Sequence, residues 1–571
     1  MTGSDAASIS IGQTLALLDG PLAAVVAGVC EDRYAFWLGS GISFGRVEGL
    51  PRVVSRVLEF LRRQIDPAAA DCKFKATLTR ALGLATLSAE ERARVDLSRP
   101  FPEWPDASVI CSRLTNNYAR FLDLAVEGEE ADYLLWNGVD VRTTFANPAT
   151  QPDVEHLCVA ILMLEGVASD VATANWDGLI ERAVDELNGG QPAITVCVRQ
   201  EDFRQPTRRA SLYKFHGCAV RAAADETVYR ALLIARQSQI NGWAAQPERA
   251  VFVNRLIDLI ASKPTLMMGL SAQDANIQAL FAKAEAMMAW PWPGDRPSYV
   301  FSEDQVGIDQ EGLLRNVYRS AFTAASRQKI LQSSLVRAYA KPLLVALTLH
   351  VLFSKIRRLA ELAPGSLNAA DRLSLQGGIT AIRDAIAATA DADRLAFVRL
   401  VVACGHRSIC LLRDGRDGNP PRAYMPVTTG PLHQLADEPG LPASGLREAS
   451  VALGLLGIGV RDGLWTLTPS DVATPNSGTA QIKTSTGVAK LLLTANSQTA
   501  LHLQQDGNLA SHEDAIVIYS AEISPAMTRS PRGALGRTGK LGLREVSITR
   551  LLNETSTLSE LLQRLREAIV A

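Results

Sequence analysis

The chain has 571 residues, 47% of them hydrophobic and 21% charged, and a formal net charge of −2. This length exceeds one ordinary domain, so two or three are expected, each able to bury its own core. The balance excludes a disordered chain and a globally basic nucleic-acid coat, though not a local basic patch.

The first ten residues, MTGSDAASIS, carry an acid and no Lys or Arg, unlike a secretory leader, which points to the cytoplasm. The apolar stretches at 157–164 and 342–353 are shorter than the roughly 18 residues a membrane span needs and read as core. Eight cysteines are scattered without a C-x-x-C pair, so no disulfide framework is expected. Cys404, His406 and Cys410 in ACGHRSIC offer three zinc ligands without an obvious fourth. They sit in an apolar run where thiols pack as small hydrophobes, and no metal is assigned.

Residues 1–30 read as a helix before a strand at 34–40, which ends in the glycine-bearing GSGIS. Further short apolar runs at 169–176, 194–199, 212–217, 264–271 and 298–303 read as buried parallel strands, with helical patterns between most of them. QPDVEHLCVAILMLEG, for example, has Pro152, Asp153 and Glu155 in its first turn and an apolar interior. Strand and helix alternating in this way predict an α/β fold, a doubly wound Rossmann-like parallel sheet. Residues 50–150 form a helical insertion able to cover the carboxyl edge of that sheet, and the whole unit is placed at 1–325.

From 326 to 571 a C-terminal α+β domain is expected, for regulation or assembly. SSLVRAYAKPLLVALTLHVLFSKIRRLAELA and residues 369–405 read as helical. SGLREASVALGLLGIGVRDGLWTLTPSD reads as helix, tight turn and strand, compatible with a winged-helix-like unit. Residues 478–507 and 514–522 look like strands, and a terminal helix at 556–571 has a capping box from Thr557 to Glu560. The loop 528–545 places Arg529, Arg532, Arg537, Lys540 and Arg544 among glycines; it is either a solvated loop or a contact to nucleic acid or a partner. Its ALGRTGKL is rejected as a phosphate-binding loop, because Leu541 stands where Ser or Thr should hold magnesium.

Ligands of open parallel sheets bind beyond the carboxyl ends of the strands. Four predicted strands end there in polar or glycine-rich segments, GSGIS (39–43), TANWDG (173–178), FHG (215–217) and GLSAQD (269–274). A stable core does not require such residues to gather on one rim. His216 at a strand end, with a pKa near neutrality, suits proton transfer. Asn175 suits a ribose hydroxyl or a water, while Asp177 either binds ribose or caps the helix that follows.

These residues resemble the sirtuin family. GSGIS is similar to its glycine-alanine-glycine-isoleucine-serine motif, with Ser40 in place of alanine. TANWDGL resembles the threonine-glutamine-asparagine-isoleucine-aspartate-glycine-leucine motif, KFHG the segment with the family's histidine, and GLSAQDANI the late glycine-serine segment in its glycine-x-serine-x-x-aspartate form. The resemblance spans roughly residues 20–305 and implies catalytic roles for Asn175, His216 and Asp177. It implies NAD contacts for Gly39, Ser40, Gly41, Ser43, Thr173, Gly269, Ser271 and Asp274, with NAD as substrate and no metal.

The departures bear on the reaction. The two C-x-x-C pairs of the sirtuin zinc module are absent, and GLPRVV (49–54) replaces the segment whose aromatic shields the reactive ribose. The chain therefore looks like the sirtuin-like NADases of bacterial anti-phage defence, which hydrolyse NAD to nicotinamide and ADP-ribose. That resemblance implies a homo-oligomer, or a complex with a short prokaryotic Argonaute carrying guide and target nucleic acid or with a translocase-type ATPase, and no membrane. Alternatives are an NAD-dependent deacylase and a non-catalytic NAD or ADP-ribose sensor.

Overall fold

The structure is a computed structural model that describes residues 5–570 apart from 70, 207, 289, 293–295, 419–423, 472, 507–508, 510–513 and 522–542. Arg529, Arg532, Arg537, Lys540 and Leu541 thus lie outside the described residues.

Seven parallel strands form the first sheet: β1 (Ala35–Leu38), β2 (Asp170–Thr173), β3 (Ile194–Cys197), β4 (Ala210–Lys214), β5 (Thr265–Met268), β6 (Tyr299–Ser302) and β7 (Leu335–Val336). Their order is β3-β4-β2-β1-β5-β6-β7. The chain winds to one side of β1 through β2, β3 and β4, then crosses to the other side for β5, so the winding reverses at β1. β1, β2, β5 and β6 are buried along their whole length, which explains their largely apolar sequence.

The faces of β1 divide the core. Phe36 and Leu38 pack with helices Ile11–Asp19, Ala23–Cys30, Val154–Leu164, Leu179–Leu187 and Ala340–Glu361. Ala35 and Trp37 pack with helices Ala250–Ser262, Ala275–Met287 and Ile308–Tyr318. The fold is therefore a doubly wound, Rossmann-like α/β sheet, as expected. The predicted single helix at the N-terminus is instead two, bent by 92° at Gly20 and Pro21, where proline cannot continue the first helix's hydrogen bonds.

The insertion between β1 and β2 is helical, from Leu50–Arg63 to Val141–Thr144. It has its own core, around Val57, Leu61, Phe101, Leu114 and Phe121, which also takes in Ala219, Ala222 and Leu233 from the crossover between β4 and β5.

The boundary at 325 falls short of the sheet, since β7 lies at 335–336 within a segment read as helical. A strand of two residues carries no periodicity of its own. The following helix, Ala340–Glu361, packs Leu343, Leu344 and Leu347 into the first core. Lys355 there donates to Glu165 Oε2 at 2.7 Å and to the Thr428 carbonyl at 2.8 Å. Glu165 Oε1 accepts from Tyr424 Oη and, at 2.9 Å, from Val427 N.

A second sheet has the order β12-β11-β10-β9-β8, from β8 (Thr466–Pro469), β9 (Ala480–Lys483), β10 (Val488–Asn496), β11 (Ala515–Ala521) and β12 (Arg544–Ser547). β10, β11 and β12 are parallel, and β8 and β9 add antiparallel. Leu491, Leu493, Ile516 and Ile518 face helices Leu446–Arg461, Ile548–Glu554 and Leu558–Val570, while Leu492, Val517 and Tyr519 face helix Ser497–Gln505. This corrects the winged-helix reading: the helix–turn–strand is present, but β8 is the edge of a mixed sheet covered on both faces. Residues 497–505, read as strand, are a helix because Asn496 caps it, accepting from Gln498 N and Thr499 N. The terminal cap at Thr557 is present, with Glu560 N donating to Thr557 Oγ1 at 3.3 Å.

Among the described residues one helix, Arg394–Asp414, is long and apolar enough to cross a membrane by length and composition, and the sequence reading did not single it out. Its Val398, Leu411 and Leu412 pack into three different cores. Cys404, His406 and Cys410 lie on this helix, with Cys410 Sγ 3.6 Å from His406 Nε2.

Candidate functional site

The reversal of winding opens the carboxyl edge between β1 and β5, and the loops after these strands meet there. Gly39 N donates to Met268 O and Gly41 N to Gly269 O, both at 3.1 Å. The approach is so close that a Cβ on Gly41 would lie 2.6 Å from Gly269 Cα, and one on Gly269 would lie 2.7 Å from Gly41 Cα. Gly269 also has a φ of +62°, which disfavours any side chain. The three glycines are therefore a backbone lock. The amides of Gly39 and Gly41 both have carbonyl partners within the protein. Ser40 and Ser271 are exposed on the two loops.

Two buried hydrogen-bonded groups flank the lock. In the first, Ser43 is the hub: Asn175 Nδ2 donates to its Oγ at 3.2 Å, and the Oγ donates to Asp177 Oδ2 at 2.9 Å. The third partner is His156 Nε2, at 3.1 Å. Asp153 N donates to His156 Nδ1 at 3.1 Å, so in the neutral ring the proton is on Nε2 and points at Ser43. Burial disfavours the imidazolium and moves the His156 pKa down, against the pull of Asp177 and Asp153.

Of the two tasks left open by the sequence, the structure shows Asp177 in the capping one. Its Oδ1 accepts from Leu179 N at 3.1 Å, at the start of helix Leu179–Leu187, while Oδ2 serves Ser43. Thr173 Oγ1 accepts from Asn175 N at 3.1 Å and so fixes the turn from beneath. Lys214, buried at the end of β4, gives its ammonium to the Asp177 carbonyl and, at 2.8 Å, to Glu181.

His216 belongs to the second group. Thr173 pairs with Lys214 across β2 and β4, so Asn175 and His216 prolong adjacent strands. Asn276 Nδ2 lies 2.6 Å from His216 Nε2, and Asn276 Oδ1 accepts from Ile277 N at 3.0 Å. The amide nitrogen thus faces the ring, and the proton of neutral His216 is on Nδ1. Burial pushes the imidazole down to about 4, against the pull of Asp274. His216 is therefore neutral at physiological pH. Asp274 sits at the start of helix Ala275–Met287 and accepts from Tyr118 Oη at 2.7 Å.

The structure thus joins Ser43, Asn175 and Asp177 directly, sets His216 on the neighbouring strand end, and leaves Ser40 and Ser271 exposed beside them. His156, Asn276 and Tyr118 were missed. His156 did have a signal, as the one imidazole in a largely apolar helix, and Asn276 lies within the quoted GLSAQDANI. Tyr118 had none, for it is brought to the rim by the fold of the insertion.

The sheet and its edge define an α/β domain with a neutral base, an amide and a hydroxyl-rich rim where the winding reverses. Residues 169–320 match the SIR2-like domain family, a span from β2 to the end of helix Ile308–Tyr318. The match supports a sirtuin-like domain and an NAD-related function, and the GSGIS loop lies ahead of the matched span. No curated protein matches the chain. The donor set suits NAD: one carboxylate at Asp274 for a ribose diol, serine hydroxyls at the mouth, and uncharged Asn175 and His216 within.

Proposed function

We propose that the protein is an NAD⁺ glycohydrolase, which adds water across the nicotinamide–ribose bond to give nicotinamide, ADP-ribose and one proton. The observation that carries this reading is the placement of Asn175 and His216 on adjacent strand ends, beside the glycine lock of a SIR2-like domain. Such a cleavage passes through an oxocarbenium-like state and needs a positioned ribose and a delivered water more than a strong nucleophile. Asn175 orients the ribose or the water. His216, neutral above about pH 4, takes the proton directly or through a ribose hydroxyl. Its Nε2 is held by Asn276, so the reacting hydroxyl displaces that amide.

The absence of any C-x-x-C pair from the sequence favours hydrolysis over transfer to an acyl-lysine peptide. By its resemblance to defence NADases, the enzyme depletes NAD in the cytoplasm of phage- or plasmid-challenged cells. The C-terminal half then serves homo-oligomerisation or a partner such as a short Argonaute or a translocase-type ATPase.

The test is purified protein with NAD, alone and with lysate of phage-infected or plasmid-carrying cells, following nicotinamide and ADP-ribose. Release of both without acyl-peptide is expected, falling by about 10²-fold or more in Asn175→Ala and His216→Ala with folding intact. Near-wild-type turnover in both variants removes the assignment. A requirement for acyl-peptide makes the protein a deacylase, and NAD that only raises the melting temperature makes it a sensor.

A further inference from the structure

The helical insertion reaches the site at two points. Phe145 sets its ring edge-on to Trp176, in the turn that carries Asn175, with centroids 5.3 Å apart. Tyr118 reaches across 156 residues of sequence to Asp274. Its ring packs against both the insertion's core and the sheet's second core. The short helix it begins, Tyr118–Leu122, is fixed at its far end, where Asp123 accepts from Ser238 N at 2.9 Å and Ser238 Oγ at 2.8 Å.

Asp274 stands at the cap position of helix Ala275–Met287, where an aspartate ordinarily accepts from first-turn amides. Its side chain makes no such bond here and is turned to the phenol instead. Two residues on, Asn276 holds the His216 ring. One helix start therefore presents a carboxylate steered from the insertion and an amide on the imidazole.

Resting on the NAD-cleaving reading, we infer that Tyr118 is a positioning residue for the substrate: its hydroxyl keeps Asp274 out of the capping orientation, so that the carboxylate's other oxygen accepts from a ribose hydroxyl beside His216. Without that hydroxyl, Asp274 falls back on the amides of its own helix, and the ribose loses its acceptor. The insertion thereby sets affinity for NAD through a residue that does not touch it.

The experiment is calorimetric NAD binding to the full chain as wild type, Tyr118→Phe, Asp274→Asn and the double variant, with KM and kcat for nicotinamide release alongside. Tyr118→Phe keeps the ring and its packing, and a melting temperature within a few degrees of wild type certifies the fold. Affinity is expected to fall about tenfold in Tyr118→Phe and at least as far in Asp274→Asn, with the double variant no weaker than Asp274→Asn, because both act through one carboxylate. KM should rise by the same factor, with kcat within about twofold, a split that general loss of packing would not give. Unchanged affinity in Tyr118→Phe, or losses that multiply in the double variant, overturns the inference. A wild type that does not bind NAD overturns the reading beneath it as well, whereas a wild type that binds and cleaves with Tyr118→Phe unaffected overturns the inference alone.

Discussion

Gly269 meets two demands at once, a positive φ and a backbone neighbour where a Cβ would be. Alanine there pays about 1–2 kcal/mol for the left-handed conformation and must also push apart the loops after β1 and β5. Gly269→Ala should lose at least about 2 kcal/mol in urea unfolding and most NAD binding, and a variant that binds NAD normally would show that the lock does not shape the site. Glu285 is a second residue with a definite signature. Burial raises its carboxyl to about 7, opposed by hydrogen bonds from Tyr299 and Asn316. The folded protein therefore holds this proton more tightly than the unfolded chain does, and stability declines as pH rises from about 4.5 through 7. Glu285→Gln should be about 2 kcal/mol more stable than wild type at pH 8 and nearly equal at pH 5, as read by urea midpoints at the two values. At this scale the sequence was most informative where chemistry is local: Ser43, Asn175, Asp177 and His216 were visible as polar groups at strand ends. Tyr118 could not be, because nothing within ten residues of it hints at the rim it reaches.

Among the elements, helix Ala340–Glu361 is the one whose burial exceeds what a surface helix needs. It inserts Lys355 between Glu165, at the end of helix Val154–Leu164, and the Thr428 carbonyl, with both charged side chains at or below 1% exposure. Lys355 and Glu165 each find partners from distant parts of the chain, so the ion pair fixes which segments meet. Lys355→Met leaves Glu165 buried with its charge unpaired and should cost about 3–5 kcal/mol, whereas Lys355→Met combined with Glu165→Leu should recover much of that loss. Equal melting temperatures for the single variant and wild type would show that the pair is solvated. The element-scale reading of the sequence succeeded for β1 to β6, whose apolar runs end in glycine or polar residues. It failed for β7, too short to show a period, and for β12, whose first two residues fall in the segment read as a loop; β10 and β11 were seen as strands, but their parallel pairing depends on contacts remote in sequence.

For the whole molecule, the first core does not end where the SIR2-like sheet was expected to end. Val336, Ala338, Ala340, Leu343, Ala387, Phe397 and Val398 all contribute to it. Arg383, 1% exposed in its side chain, and His350 both pair with Asp19 near the N-terminus. A chain cut after residue 325 loses β7 and this apolar surface together, and it should be recovered insoluble or without a cooperative melt. The full chain should unfold in one calorimetric transition, and two well-separated transitions would disprove the shared core. That sharing constrains how such a protein is inherited. A C-terminal half grafted onto another catalytic sheet would arrive with helix Ala340–Glu361 cut to a different groove, so the two halves are expected to have diverged together, each substitution at the seam answered by one across it.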